Sequence, residues 1–268
     1  MTALAALADL DAAPERISSA SNPLIKELRK LGLDSTAYRK QGRVWLEGDH
    51  LCRAALLRGL KPAISVYSES FWPLAQEIIA QAAIKNIVVP DALFARISAL
   101  ESPAGMGFVM DLPPSRSLNS SVASVVLDRV QDAGNVGSIL RSAAAFGFHQ
   151  VIALKRTAAL WSPKVLRAGM GAHFGLQLME GVAPEELAAL AVPMVVTSSH
   201  EGDVLGQVKL PMPCAWVFGH EGQGVSELFM AKADIKVRIA QPGGEESLNV
   251  AAAAAICLHF SSRQVGLF

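Results

Sequence analysis

The sequence predicts an α/β protein in two parts, a small N-terminal α/β domain followed by a larger domain built on a parallel sheet. Two observations predict this. Apolar, β-rich runs recur through the second half, at 123–128, 150–154, 176–179, 193–198, 215–218 and 235–239, with helical patterns or turns between them. Near-continuous apolar strands alternating with helices form a parallel sheet covered on both faces, and such a sheet places its ligand site at the carboxyl ends of its strands. The stretch DLPPSRSLNSS at 111–121 gathers Pro, Ser and Asn between two patterned regions, as an interdomain linker does.

Taken in order, residues 1–14 hold a short Ala/Leu stretch that Asp9 and Asp11 interrupt, with no basic segment before it, and are expected to be a flexible tail. The domain at 15–112 alternates helical patterns (23–33, 48–58, 72–83) with β-rich runs (63–67, 87–89, 107–110). A linker at 113–121 leads into the domain at 122–268. With 51% hydrophobic residues in 268, both parts can bury a core.

Charge is balanced at 24 basic against 24 acidic residues, so net charge does not announce a nucleic-acid partner. Its distribution says more. Ten Lys or Arg face four acids between Arg16 and Lys61, and Lys155, Arg156, Lys164 and Arg167 have no acid among them. Either cluster could follow a phosphate backbone or simply be a solvated face. Cys52, Cys214 and Cys257 are too few and too scattered for a disulfide framework or a Cys-rich metal site, which fits a reducing cytoplasm. The longest apolar run, 250–258, is well short of the roughly 20 residues that span a bilayer.

Three segments carry the chemistry. LDRVQDAGNVGSILRSAAAFG (127–147) passes from a strand through a turn into a helix. Val136, Ile139, Leu140 and Ala143 form one stripe of that helix and Ser138, Arg141, Ser142 and Ala145 the other. No acid lies three or four residues from Arg141. By position alone Arg141 reads as a surface charge and Asn135 as a cap or turn residue. WVFGHEGQGVS (216–226) brings glycines 219, 222 and 224 after a strand, where backbone can approach a ligand or make a tight turn. Its G-x-x-G-x-G order matches neither a Walker loop nor a dinucleotide fingerprint. IAQPGGEESLNVAAAAAICLHF (239–260) leads through a Pro-Gly-Gly turn into a close-packing alanine-rich helix, with Ser247 expected near its N-cap.

In this order and spacing the segments resemble motifs one, two and three of the SpoU (TrmH-like) RNA 2′-O-ribose methyltransferases of the SPOUT superfamily. ISSASNPLIKELRKL and YRKQGRVWLEGDHLCRAAL resemble that family's substrate-binding domain, so the resemblance spans residues 15–268. It departs from the family at Ala133, Ala240 and Ala251, where Pro, Pro and Ser are common, at His220, often Asn, and at SPAGMG (102–107), where a Gln usually precedes the last Gly.

The resemblance implies a C-terminal SPOUT domain with a deep trefoil knot, a homodimer, and S-adenosyl-L-methionine as cofactor, with no metal. It implies catalytic roles for Asn135 and Arg141 supported by Glu221, Ser247 and Asn249, and cofactor contacts at Thr197, Gly219, Glu221, Gly222, Ile239, Leu248 and Asn249. RNA contacts are expected at Lys26, Arg29, Arg39, Arg43, Arg141, Lys164 and Arg167. A guanidinium stays protonated, so Arg141 is expected to clamp a phosphate or ribose oxygen rather than act as a base. The expected substrate is ribosomal RNA, the large subunit favoured. A transfer-RNA ribose methyltransferase, a base methyltransferase of the superfamily and a non-catalytic ribosome-assembly factor are the alternatives.

Overall fold

The computed structural model describes residues 13–75, 83–243 and 247–264. The tail expected at 1–14 lies almost wholly outside them. Contacts divide the chain into two units, one reaching Pro113 and taking in Trp161–Pro163, the other holding Pro114–Leu160 and the chain from Lys164 onward. Among the described residues no helix is long and apolar enough to cross a membrane.

The first unit runs β1 (Glu15–Arg16), α1 (Pro23–Leu33), α2 (Ala37–Gln41), β2 (Arg43–Glu47), α3 (Asp49–Leu57), β3 (Ile64–Ser68), β4 (Lys85–Val89), α4 (Asp91–Ile97) and β5 (Met106–Asp111). Its sheet has the order β1-β4-β3-β5-β2; β1, β4 and β3 are parallel, and β5 runs antiparallel to β3 and β2. Helix α1 begins where Asn22 Oδ1 accepts the Leu24 N–H at 2.9 Å and Pro23 takes the first helical position. It buries Ile25, Leu28 and Leu31 and leaves Lys26, Arg29 and Lys30 exposed.

Three expectations change here. Arg43–Glu47 is an edge strand: its charged ends break the apolar signal, but Val44, Trp45 and Leu46 between them are buried. Asp111 pairs with Arg43 at the end of β5 and so belongs to the sheet, not to the linker. Of the helix expected at 72–83, a single 3-10 turn at Trp72–Leu74 is present, and 76–82 lie outside the described residues.

The second unit runs β6 (Ser124–Asp128), α5 (Ala133–Ala145), β7 (Gln150–Leu154), α6 (Pro163–Gly169), β8 (Gln177–Val182), β9 (Met194–Thr197), β10 (Asp203–Val204), β11 (Ala215–Gly219), α7 (Glu227–Lys232), β12 (Ile235–Arg238) and α8 (Val250–Gln264). All seven strands are parallel, in the order β10-β12-β9-β11-β6-β7-β8. Every residue of β6, β7 and β11 is buried, as strands covered on both faces require.

Val126, Ile152, Val196, Val217 and Phe229 form one core layer. The alanine-rich α8 packs on α5 and β11, and its Ser261 Oγ accepts the indole N–H of Trp216 at 2.9 Å. The second half of the expected linker is tied to this unit. Leu118 packs against the core, and the Gln150 amide accepts the Asn119 N–H at 2.9 Å while donating to the Asn119 carbonyl at 3.0 Å. Because the sheet is parallel, the carboxyl ends of its strands share one edge, with Asp128 directly opposite Gly219.

Candidate active site

The turn after β6 is capped by Asp132, whose side chain accepts the Asn135 N–H at 2.8 Å and starts α5. The helix then follows the pattern read from the sequence: Val136, Ile139, Leu140 and Ala143 are buried, while Ser138, Arg141 and Ala145 are exposed. Arg141 has no hydrogen-bond or ion-pair partner among the described residues.

Asn135 sits at the centre of a network that joins all three segments. Its Nδ2 donates to Glu221 Oε1 at 3.1 Å, and its Oδ1 accepts from Asn249 Nδ2 at 2.9 Å. Glu221 also receives the Asp132 N–H at 3.0 Å and the Gln131 N–H at 3.2 Å. Burial pushes the Glu221 carboxyl up, but the Asp132 N–H, the Asn135 amide and the Gln131 N–H together hold it below its ordinary value. Asn249 Oδ1 accepts the N–H groups of Ala251 (2.9 Å) and Ala252 (3.3 Å), so Asn249 caps α8 rather than Ser247, two residues too early to reach those amides. Ser247 lines the neighbouring cavity instead.

That cavity, of about 400 Å³, is walled by the ends of β9, β11 and β12 and the start of α8. Of the expected cofactor residues, Thr197, Gly219, Glu221, Gly222, Ile239 and Leu248 line it; the Asn249 side chain is committed to the cap and the network. The second-motif loop is a tight ring, with His220 N–H donating to Gly224 O at 3.0 Å and Gly224 N–H to His220 O at 2.8 Å. Gly224 adopts φ +66°, and a Cβ on Gly219 would lie 2.1 Å from the Gly224 carbonyl carbon. His220 Nδ1 further accepts the Gly222 and Gln223 N–H groups at 3.0 and 3.2 Å, an acceptor role open to an Asn side chain as well. The cavity suits a bent organic cofactor: glycine backbone forms one wall, and Ile239 and Leu248 offer apolar surface.

Sequence reasoning missed the brace beneath this loop. Asp128, nearly fully buried, accepts from Arg129 Nε at 3.0 Å and from the Ser226 N–H at 2.7 Å. Arg129, in the left-handed region at φ +62°, donates onward to Gln223 Oε1 at 2.9 Å. An acid and a base adjacent in sequence resemble any surface pair; only the fold brings residues 223–226 onto them.

Of the expected RNA contacts, Lys26 and Arg29 are exposed on α1, and Lys164 and Arg167 on α6. Arg39 donates to the Tyr38 hydroxyl at 3.1 Å and lies over its ring. Arg43 is half-buried and paired with Glu27 at 3.3 Å and Asp111 at 3.5 Å, so its charge is met within its own unit. Arg53 is likewise paired with Asp49 at 2.7 Å, which narrows the basic run to fewer free cations than the sequence shows.

Solved structures share this architecture. One described as an RNA 2′-O ribose methyltransferase superposes with a TM-score of 0.76 at 28% identity, covering 93% of this chain and 99% of that one. An AdoMet-bound rRNA methyltransferase from Sinorhizobium meliloti gives a TM-score of 0.79 at 25% identity, covering 94% and 98%. The fold and cavity thus define an S-adenosylmethionine-dependent methyltransferase of the SPOUT class.

Residues 122–259 match the SpoU rRNA Methylase family and residues 22–107 the MRM3-like substrate binding domain. The chain belongs to the SpoU rRNA methylase family. It is 30% identical over 263 residues to an uncharacterized tRNA/rRNA methyltransferase of Synechocystis, covering 92% of this chain and 93% of that protein. It is 29% identical over 249 residues to the Bacillus subtilis 23S rRNA (guanosine(2553)-2′-O)-methyltransferase RlmP, covering 91% and 98%.

Proposed function

We propose that this protein methylates a ribose 2′-hydroxyl in large-subunit ribosomal RNA. The observation that carries the reading is the Glu221–Asn135–Asn249 network, which locks the three motif segments together beside the cofactor cavity. Likeness to a 23S rRNA 2′-O-methyltransferase over nearly the whole of both chains supports the substrate class.

Bound S-adenosylmethionine supplies a methyl group already activated on a sulfonium. The protein's work is therefore alignment and charge stabilisation. Thr197, the Gly219–Gly222 wall, Ile239, Ser247 and Leu248 hold the cofactor, with Glu221 at the rim. Asn135, Glu221 and Asn249 are positioning residues, since their polar groups are spent on one another and on the α5 and α8 termini. Arg141 projects from the exposed face of α5, free to hold a phosphate or the reacting ribose oxygen and to offset charge as the oxygen attacks. The proton leaves to water or a neighbouring group.

Lys26 and Arg29 on the first unit are further candidate RNA contacts, and so, separately, are Lys164 and Arg167 on the second. The same reading takes 15–112 as the substrate-binding domain, 113–121 as the linker and 122–268 as the catalytic domain. It includes a homodimer, as the family resemblance implies, and a cytoplasmic location, supported by three free, buried cysteines. The trefoil knot that the family resemblance implies is part of it too.

The test is to incubate the protein with labelled cofactor and 23S rRNA and to map the methylated nucleotide. Transfer should vanish when that nucleotide carries deoxyribose; equal transfer to the deoxy substrate refutes the reading. Arg141→Ala should abolish transfer while leaving cofactor affinity within about twofold, and a variant that no longer binds cofactor contradicts the assigned role.

A further inference from the structure

The turn after β7 presents Lys155 and Arg156, both exposed and neither with a hydrogen-bond or ion-pair partner among the described residues. Leu127 of β6 lies opposite Ala153 of β7, so Lys155 leaves the sheet at the level where Arg129 does, on the edge that holds the site. The turn is fastened to the first-motif segment. Thr157 Oγ1 donates to the Leu127 carbonyl at 2.9 Å, and the Ala158 N–H to the Val130 carbonyl at 2.9 Å.

The acids of this edge are committed elsewhere. Asp128 holds Arg129 and the Ser226 N–H, Asp132 caps α5, and Glu221 receives the Gln131 and Asp132 N–H groups and the Asn135 amide. Two cations therefore stand on the site's edge without a counter-charge. The backbone adds an independent observation. The Thr157 N–H closes a turn on the Leu154 carbonyl at 3.1 Å, which puts Arg156 at the turn's third position with φ +73°. A positive φ there favours glycine, and an arginine held in it is strained. Such strain persists where the side chain serves a function. We infer that Lys155 and Arg156 hold phosphates of the RNA backbone where the strand meets the site, setting RNA affinity while Arg141 serves the transfer step. The inference rests on the RNA reading above; neither residue lines the cofactor cavity.

The test measures binding of a 23S rRNA transcript to the full chain across salt concentration, with S-adenosylhomocysteine affinity followed by calorimetry. Each phosphate contact on a single strand contributes about 0.7 to the slope of log affinity against log salt, so the double variant Lys155→Gln, Arg156→Gly should flatten it by about 1.4. Relative to 1 M salt, that is about 25-fold weaker RNA binding at 0.1 M, with a similar rise in KM for RNA and kcat within about twofold. Cofactor affinity should not change. Arg156→Lys keeps the charge and should keep the slope. Arg156→Gly alone should weaken RNA binding without lowering stability to urea, because glycine relieves the strained φ. Lys232→Gln removes an exposed cation at the end of α7, on the opposite edge of the sheet, and should leave the slope unchanged. An unchanged slope in the double variant, an equal drop per charge in Lys232→Gln, a loss of stability in Arg156→Gly, or a fall in kcat with KM unchanged overturns the proposal. If wild type shows no salt-dependent affinity for 23S rRNA, the RNA reading falls and the proposal with it; if wild type binds and the double variant matches it, only the proposal falls.

Discussion

Replacing Gly219 with alanine puts a methyl group where the second-motif loop closes on itself. The new Cβ would lie 2.1 Å from the Gly224 carbonyl carbon, 2.2 Å from its oxygen and 2.2 Å from Val225 N. These are backbone atoms, so no side-chain rotation relieves the contact. Gly224 must retreat by more than an ångström, which pulls apart the His220–Gly224 pair of backbone hydrogen bonds at 3.0 and 2.8 Å. Overpacking of this kind costs about 1–3 kcal/mol, and a clash with fixed backbone belongs at the upper end. If the loop relaxes in the free protein and must be forced back around the cofactor, about 2–3 kcal/mol weakens binding by roughly 30- to 150-fold.

Calorimetry with S-adenosylhomocysteine measures this directly. Gly222→Ala is the comparison, because its Cβ meets only the His220 ring at 3.9 Å and so reports what the cofactor's own approach tolerates. An affinity for Gly219→Ala within threefold of wild type would show that the loop geometry does not set cofactor binding.

Further outcomes concern stability. Burial holds His173 neutral and pushes it down to about 4, against a bond to the Leu160 carbonyl that favours protonation. The unfolded chain takes up that proton first as pH falls from about 6.5, so folding stability should drop between there and about 4, by up to about 3 kcal/mol. Urea titrations across this window should show a flatter pH dependence for His173→Gln, and an identical slope contradicts the assignment. Asp128→Ala leaves Arg129 without its carboxylate and the Ser226 N–H without its acceptor, and should cost about 3 kcal/mol, near the lower bound for breaking a buried ion pair; a loss under about 1 kcal/mol by denaturant unfolding would mean the brace is dispensable. Glu221 is held below its ordinary value, so its charge stabilises the fold above the usual carboxylate range and that contribution fades as pH falls through the folded value. The stability gap between wild type and Glu221→Gln should therefore close in acid, and a gap that persists or widens there argues against the network.

The central strands were legible because burial on both faces leaves continuous apolar runs at 125–127, 151–154 and 215–218. The exposure of Arg141 was legible because helical periodicity opposes it to Val136, Ile139 and Leu140. Edge elements were not. Arg43–Glu47 carries charges at both ends, and the two-residue β1 and β10 exist only because β4 and β12 pair with them. Pairing is a property of the partner as much as of the segment.

By itself, the sequence determined the central strands, the two faces of α5 and the order of the three motif segments, because helical and strand periods and glycine spacing act over a few positions; the roles expected of their residues came from the resemblance to the family. The tertiary structure decided what those residues do for one another. It made Asn249 the α8 cap, set Asn135 between Glu221 and Asn249, and stood Asp128 and Arg129 under a loop nearly a hundred positions away. Hydrogen bonds depend on distances of about 3 Å between groups remote in the chain. Only a closed sheet edge sets those distances.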